Sequence, residues 1–221
     1  EYQGISRCVV ELTSRLAREH DVHVYAAEIA TDARSALQLH RVPLRYPGVH
    51  VNDWDFFFRA GRLLRRESFD LVHLHFPVWY PADIYSCHGL ARMALCSFRK
   101  FPAAAKIDVP TRRMLPWYAQ VPLYTFVARN PRTIITAVSR KTQGDVAEES
   151  GRPLGQITVV PNAVDLARFR PEVAMRLRPE MRRALGLTDD QFALIMVGNH
   201  LRHKGIRHAL GTLERLPTTD A

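Results

Sequence analysis

The run TIITAVSRKTQGDVAEESGRPLGQITVVPN, residues 133–162, decides the fold. It opens on the apolar, β-branched TIITAVS, passes through a polar stretch at 140–150 that stops at Gly151, and returns to a second β-branched run, QITVVPN. β-branched residues favour strands, and a glycine directly after a helix-forming stretch lets the chain leave it in the left-handed conformation. Strand, helix and strand within about 30 residues make a βαβ unit, whose crossover returns the chain to the end it left, so the two strands run parallel.

The same pattern extends upstream. Ile5, Val9, Leu12 and Leu16 recur at helical spacing, and DVHVYA (21–26) and LQLHRVPL (37–44) read as strands. Trp54 to Leu64 reads as a helix with aromatic anchors, and FDLVHLHF (69–76) and ADIYSCH (82–88) as strands. Residues 90–130 read as mostly helical, broken at Pro102, Pro110, Pro116 and Pro122. Strands alternating with helices predict an α/β, Rossmann-like fold: a parallel sheet with helices on both faces.

Downstream the composition shifts. Asp165 to Asp190 carries Pro171, Pro179 and many arginines and reads as a linker with a short helix, after which QFALIMVG (191–198) reads as a new strand leading into a basic loop and a helix. The expected organisation is a first domain over 1–165, a linker over 166–190, and over 191–221 the first strand, loop and helix of a second Rossmann-like domain. A helix opening at Gly4 is expected to follow a strand lying ahead of residue 1.

Hydrophobic residues make up 47% and charged residues 24% of the 221, an ordinary globular balance that argues against disorder. Cys8, Cys87 and Cys96 cannot all pair and include no C-x-x-C, which argues against a disulfide framework or zinc ribbon and for a reducing compartment. Apolar runs such as Val121 to Ala128 fall short of the roughly 20 residues a membrane span needs. A formal net charge of +9 implies an anionic partner: nucleic acid, an anionic membrane or a phosphorylated substrate.

Ligands of open parallel sheets bind beyond the carboxyl ends of the strands, which singles out the residues following each predicted strand. These are His75, His88, Ser139, Asn162 and Gly198-Asn199, with Gly4 after the strand expected ahead of the chain. Simpler readings accompany them. His73 and His75 share a face, but no third ligand at metal spacing stands near, so no metal site is expected. Ser139 fits the N-cap of the helix from Arg140, and Asn162 with Asp165 fits a turn. Gly4 and the Gly198–Gly205 loop suit phosphate, because a helix N-terminus offers free N–H groups and glycine lets an oxygen approach; Lys204 adds a point charge. The loop is neither a Walker A sequence nor a G-x-G-x-x-G fingerprint, which disfavours ATP hydrolysis and hydride transfer.

These residues resemble a known family. QGISRCVVELTSRLAREHDVHVYA, FDLVHLHF, ITAVSRKTQGDV, ITVVPNAVDLARFRP and IMVGNHLRHKGIRHALGTLERLP are similar, in order and over nearly the whole chain, to landmarks of the retaining glycosyltransferases of family 4, which have the GT-B fold. GISR, VHVYA, ADIYSCHG and VGNHLRHKGIRHALGTLERLP are most similar to the lipopolysaccharide core glucosyltransferase I group. The resemblance implies transfer of a hexose, glucose in that group, from a nucleotide sugar such as a UDP-sugar to a glycolipid or polysaccharide acceptor, with retention and with no metal or other cofactor. It implies that His88 sits beside the transferred sugar, as the catalytic candidate, and that Gly4, Gly198, Asn199, Arg202 and Lys204 meet the donor. His75, Ser139, Asn162 and Asp165, at or near strand ends, are expected to line the cleft or acceptor side. The chain departs from the family pattern at Gln3, Ala163 and Asn199, and the family's acidic E-x(7)-E element is expected beyond Ala221.

Between His88 and Arg129, Arg92, Arg99, Lys100, Lys106, Arg112 and Arg113 face only Asp108 and are interleaved with Phe98, Phe101, Trp117, Tyr118 and Tyr124. Basic and aromatic residues together suit a membrane interface, and also nucleic acid or a solvated helical face. The resemblance favours docking of region 92–124 on the anionic inner face of the cytoplasmic membrane, with no nucleic-acid partner. The rival functional reading is a non-catalytic module that only binds membrane or acceptor.

Overall fold

The computed structural model describes residues 4–29, 37–45, 49–90, 111–198 and 205–215, and at 49–50 and 111–117 the helix alone. They fall into two compact units, one made by residues up to Ala163 and one beginning at Val164.

The first unit runs α1 (Gly4–Leu16), β1 (His23–Ala26), β2 (Gln38–Arg41), α2 (Val49–Leu64), β3 (His73–Leu74), β4 (Ile84–Cys87), α3 (Thr111–Ala128), β5 (Ile134–Ala137), α4 (Arg140–Ser150) and β6 (Ile157–Val159). Every strand pairing is parallel: β1 with β2, then β3, β4, β5 and β6 side by side in chain order. The 133–162 run is the β5–α4–β6 crossover, with Ile135 opposite Ile157 and Ala137 opposite Val159. Gly151 closes α4 at φ 76°, its N–H returning to the Ala147 carbonyl. Among the described residues the strands form two ladders, where the sequence suggested one sheet.

Strand β3 is shorter than the apolar run at 69–76 suggests. On its N-terminal side the Val72 N–H is taken by the Asp83 carboxylate at 2.7 Å, and the Val72 carbonyl by the N–H groups of Asp83 and Ile84. On its other side Pro77 has no N–H to offer a ladder.

The side-chain period of two divides the four-stranded sheet into unlike faces. Leu74, Tyr85, Cys87, Ile135, Ala137 and Ile157 are buried in one cluster with Ala60 and Leu64 of α2, Val127 and Ala128 of α3, and Val146 of α4. Fully burying an aliphatic side chain of this size is worth about 1.5–3 kcal/mol, so this face carries the stability. The opposite face shows His73, His75, Ser86, His88 and Thr136, all half-buried.

Helix α3 passes unbroken through Pro116 and Pro122, against the expectation that they end helical segments. Its inner face offsets the lost backbone bonds: Leu123, Val127 and Ala128 are buried, and the Trp54 indole N–H of α2 donates to the Ala119 carbonyl, in the turn that Pro122 loosens, at 3.1 Å. The exit from α3 is fastened by Arg152, whose guanidinium donates to the carbonyls of Ala128 (2.9 Å), Thr133 (3.0 Å) and Asn130.

The second unit contains α5 (Pro171–Ala184) and α6 (Ile206–Leu213). Pro171 begins α5, where its missing N–H costs nothing, and Pro179 lies inside it. Buried Arg182 donates to the carbonyls of Thr188 and Gln191, tying down the loop after the helix. QFALIMVG was expected as a strand, yet residues 192–198 lie outside helix and strand. Phe192, Ile195 and Val197 are exposed there.

Candidate active site

Parallel pairing sets His73 beside Ile84 and Leu74 beside Tyr85, and the period of two then gathers His73, His75, Ser86 and His88 on one face at the carboxyl end of β3 and β4. His75 Nδ1 lies 3.0 Å from His88 Nε2, with the rings stacked at 5.3 Å and 28°. The His73 ring lies 4.4 Å from that of His75, and its Nε2 meets Ser86 Oγ at 2.8 Å. Ser86 Oγ in turn meets Thr136 Oγ1 of β5 at 2.8 Å. The two later-strand hydroxyls thus hold His73, whose ring lies tilted against His75, and His75 is in turn bonded to His88.

A hydrogen bond between two imidazoles needs one ring nitrogen to donate and the other to accept, so protonating both rings would oppose two donors. Burial pushes His75 down to about 3, with His73 and His88 adding to the effect. His73 is lowered by burial and by His88, and His88 by burial. The cluster is therefore neutral at pH 7, and its outermost member, His88, can serve a ligand as a neutral hydrogen-bond donor or acceptor.

This state has a stability consequence whose sign is fixed. Above the ordinary imidazole value near 6.5 neither the folded nor the unfolded chain protonates His75. As pH falls from there towards about 3, the unfolded chain binds a proton that the folded chain refuses, so stability drops across that window. Urea denaturation between pH 7 and 4 should show this loss, on the order of a few kcal/mol, and His75→Gln should flatten it. An unchanged slope in that variant would assign the proton uptake to other groups.

The remaining candidates are distributed as follows. Ser139 is the N-cap of α4: its Oγ accepts the Thr142 N–H at 3.1 Å and lies 3.0 Å from Thr142 Oγ1. Ser139→Ala should cost about 1 kcal/mol in a denaturant titration, and Ser139→Asp should retain most of the cap. Asn162, beyond β6, is exposed. Asp165 belongs to the second unit, and its carboxylate is engaged locally, accepting the N–H groups of Ala167 (2.9 Å) and Arg168 (3.2 Å) in a turn. Gly4 is the first residue of α1, and a Cβ there would meet nothing within 4 Å. Nothing in the described fold demands a glycine at that point.

In the second unit Gly198 ends the apolar run, and Gly205 caps α6 at φ 87°, a conformation glycine adopts freely. Asn199, Arg202 and Lys204 lie outside the described residues, as does region 92–110 of the basic and aromatic stretch. Of that stretch Tyr118 is exposed, but Tyr124 packs against the buried core and edge-on to Phe76, so it is removed from any membrane-facing set. It lies on the inner side of α3, a placement that residue type does not reveal. Ser86 and Thr136 were not singled out from sequence, although a polar residue at alternate positions of IYSC and IITA marks the face they share with the histidines. No helix among the described residues is long and apolar enough to cross a membrane.

Residues 2–168 match the sequence model of Glycosyltransferase Family 4. No curated protein matches the chain at a significant level. Among solved structures the chain is similar to one described as WaaG, a glycosyltransferase involved in lipopolysaccharide biosynthesis, with a TM-score of 0.76 at 20% identity over 98% of this chain. The chain spans 57% of the length of that structure. The fold of parallel strands and flanking helices is thus that of the GT-B glycosyltransferases.

Proposed function

Since the chain belongs to glycosyltransferase family 4, we propose that the protein carrying it moves a hexose, glucose by its narrower resemblance, from a nucleotide sugar to a glycolipid or polysaccharide acceptor such as lipopolysaccharide core, with retention. The observation that carries this reading is the ordered, neutral His75–His88 pair at the carboxyl end of a parallel sheet. A transferred sugar offers hydroxyls, and a neutral imidazole held in one orientation can bond them without adding a charge to the site.

In this reading His88 contacts the hexose and His75 orients it. Gly4 and the first turn of α1 receive the donor diphosphate, while Lys204, with Arg202, offsets the charge that develops as the diphosphate leaves. Gly198 and Asn199 open that basic loop. His75 and Asn162 line the acceptor side, while Ser139 and Asp165, whose side chains hold a helix cap and a turn, bear on the cleft only through their backbone positions. Charge stabilisation by basic side chains and helix termini stands in the place a metal holds in other transferases. The donor is proposed to be a UDP-sugar, and the basic stretch over 92–124, without the core-packed Tyr124, to hold the protein on the anionic inner face of the cytoplasmic membrane.

Calorimetric titration with UDP-glucose, other UDP-hexoses and ADP-glucose tests the donor. Saturable binding of UDP-glucose, followed by transfer to a lipopolysaccharide-core acceptor with the anomeric configuration kept, is the expected result. Absence of binding and transfer across the panel contradicts the reading. For the membrane, the chain should sediment with anionic but not neutral vesicles at low salt, and equal binding to both counts against docking.

A further inference from the structure

A second histidine cluster lies on the other ladder. Parallel pairing of β1 with β2 sets His23 opposite Gln38 and Tyr25 opposite His40, so His23 and His40 meet diagonally on one face. The turn after α2 brings Glu67 to the same place. His23 Nδ1 lies 3.0 Å from His40 Nε2 and 3.5 Å from Glu67 Oε2, and the ligating atoms of all three residues lie within 4.8 Å of one another. A tetrahedral ion bound at zinc–nitrogen and zinc–oxygen lengths holds neighbouring ligand atoms roughly 3.3–3.4 Å apart, which these separations bracket.

The surroundings fix these atoms as the outer partners of metal ligands usually do. The His40 ring is stacked between those of Tyr25, at 4.4 Å and 9°, and His23, at 5.0 Å and 14°, with Phe69 edge-on to His23. The Tyr25 hydroxyl donates to Glu67 Oε1 at 3.0 Å, leaving Oε2 turned towards His23. On the far side of His23, Asp21 Oδ2 lies 3.6 Å from Nε2, and Gln38 holds the other Asp21 oxygen at 2.8 Å. The Asp21 carboxylate, 3.6 Å behind His23 Nε2, favours by charge a proton on that nitrogen, which leaves the inner nitrogen to face the two further donor atoms.

We propose that His23, His40 and Glu67 form a zinc-binding site, with water completing four-coordination. Two imidazoles and one carboxylate suit zinc, whereas calcium and magnesium prefer all-oxygen sets. The site takes no part in glycosyl transfer. It joins a two-stranded ladder, which has little stability of its own, to the turn that follows α2. Zinc binding therefore stabilises the folded chain by mass action.

The test is titration of the metal-free full chain with zinc chloride by calorimetry, with cobalt chloride as a visible-absorption probe of four-coordination and thermal melting in parallel. One zinc per chain is expected, with a raised melting temperature. His40→Gln and Glu67→Gln should each weaken binding by about 100-fold and abolish the melting shift, and Tyr25→Phe should weaken it by about 10-fold. Glu67 is a partly exposed turn residue, so its variant keeps the test valid if His40→Gln fails to fold. His75→Gln should bind as the parent does. Absence of saturable binding, binding retained in Glu67→Gln, or binding lost in His75→Gln overturns the proposal.

Discussion

Replacing His88 by alanine is expected to lower turnover by about 100-fold in the protein that carries this chain, while the donor KM changes by only a few-fold. The ring is half-buried, so its loss removes little packing and the melting temperature should move by a few degrees at most. What disappears is the outermost member of a positioned set: His75 Nδ1 loses its 3.0 Å partner, and the sugar loses a neutral group already held in place. His88→Gln should recover part of the rate, because an amide can still bond both His75 and a hydroxyl. His75→Gln should act through orientation, lowering turnover less than His88→Ala and altering its pH dependence. Unchanged turnover in His88→Ala would remove the residue from the site.

Ile135→Ala should destabilise the fold by about 2–5 kcal/mol, whereas Ile134→Ala, one residue earlier, should stay within about 0.5 kcal/mol of the parent. Ile135 is 0% exposed in the central strand β5 and Ile134 is 59% exposed, although the two residues have the same composition and the same strand propensity. The contrast isolates which face of the sheet carries the core. Denaturant midpoints at constant slope measure it, and equal losses in the two variants would contradict the observed alternation.

The β5–α4–β6 unit was legible because each of its signals is local: β-branched strands, a serine cap, and a glycine whose left-handed conformation ends the helix. The parallel direction of β5 and β6 follows from that unit, whereas the order β3-β4-β5-β6 was not legible, since residues 75–83 join β3 to β4 without a helix. The limits of β3 were not legible, because Asp83, in a later segment, takes over the backbone groups of Val72. Pro116 and Pro122 misled for a similar reason: the packing that lets α3 continue comes from Trp54 and the buried core, both remote in sequence.

The candidate site was legible in part. His75 and His88 follow their strands, so a rule about carboxyl ends finds them, and the resemblance to the family assigns His88 a role. Their mutual hydrogen bond, and the hydroxyls of Ser86 and Thr136 behind His73, depend on parallel register, which residue spacing alone does not specify. Ser139 and Asp165 each had two readings, and the structure shows the local one of each: Ser139 caps α4 and the Asp165 carboxylate closes a turn. The His23–His40–Glu67 cluster had no sequence signature, since strand pairing and a turn after a helix assemble it from three separated segments.

The central claim is that the edge bearing His75 and His88 receives the donor sugar. Imidazole NMR during titration with UDP-glucose tests it most directly, because the two histidine clusters report separately. The account predicts saturable shifts of the His75 and His88 ring signals, with those of His23 and His40 unmoved. Saturation accompanied by shifts at His23 and His40 alone, or by no movement at His88, would contradict it.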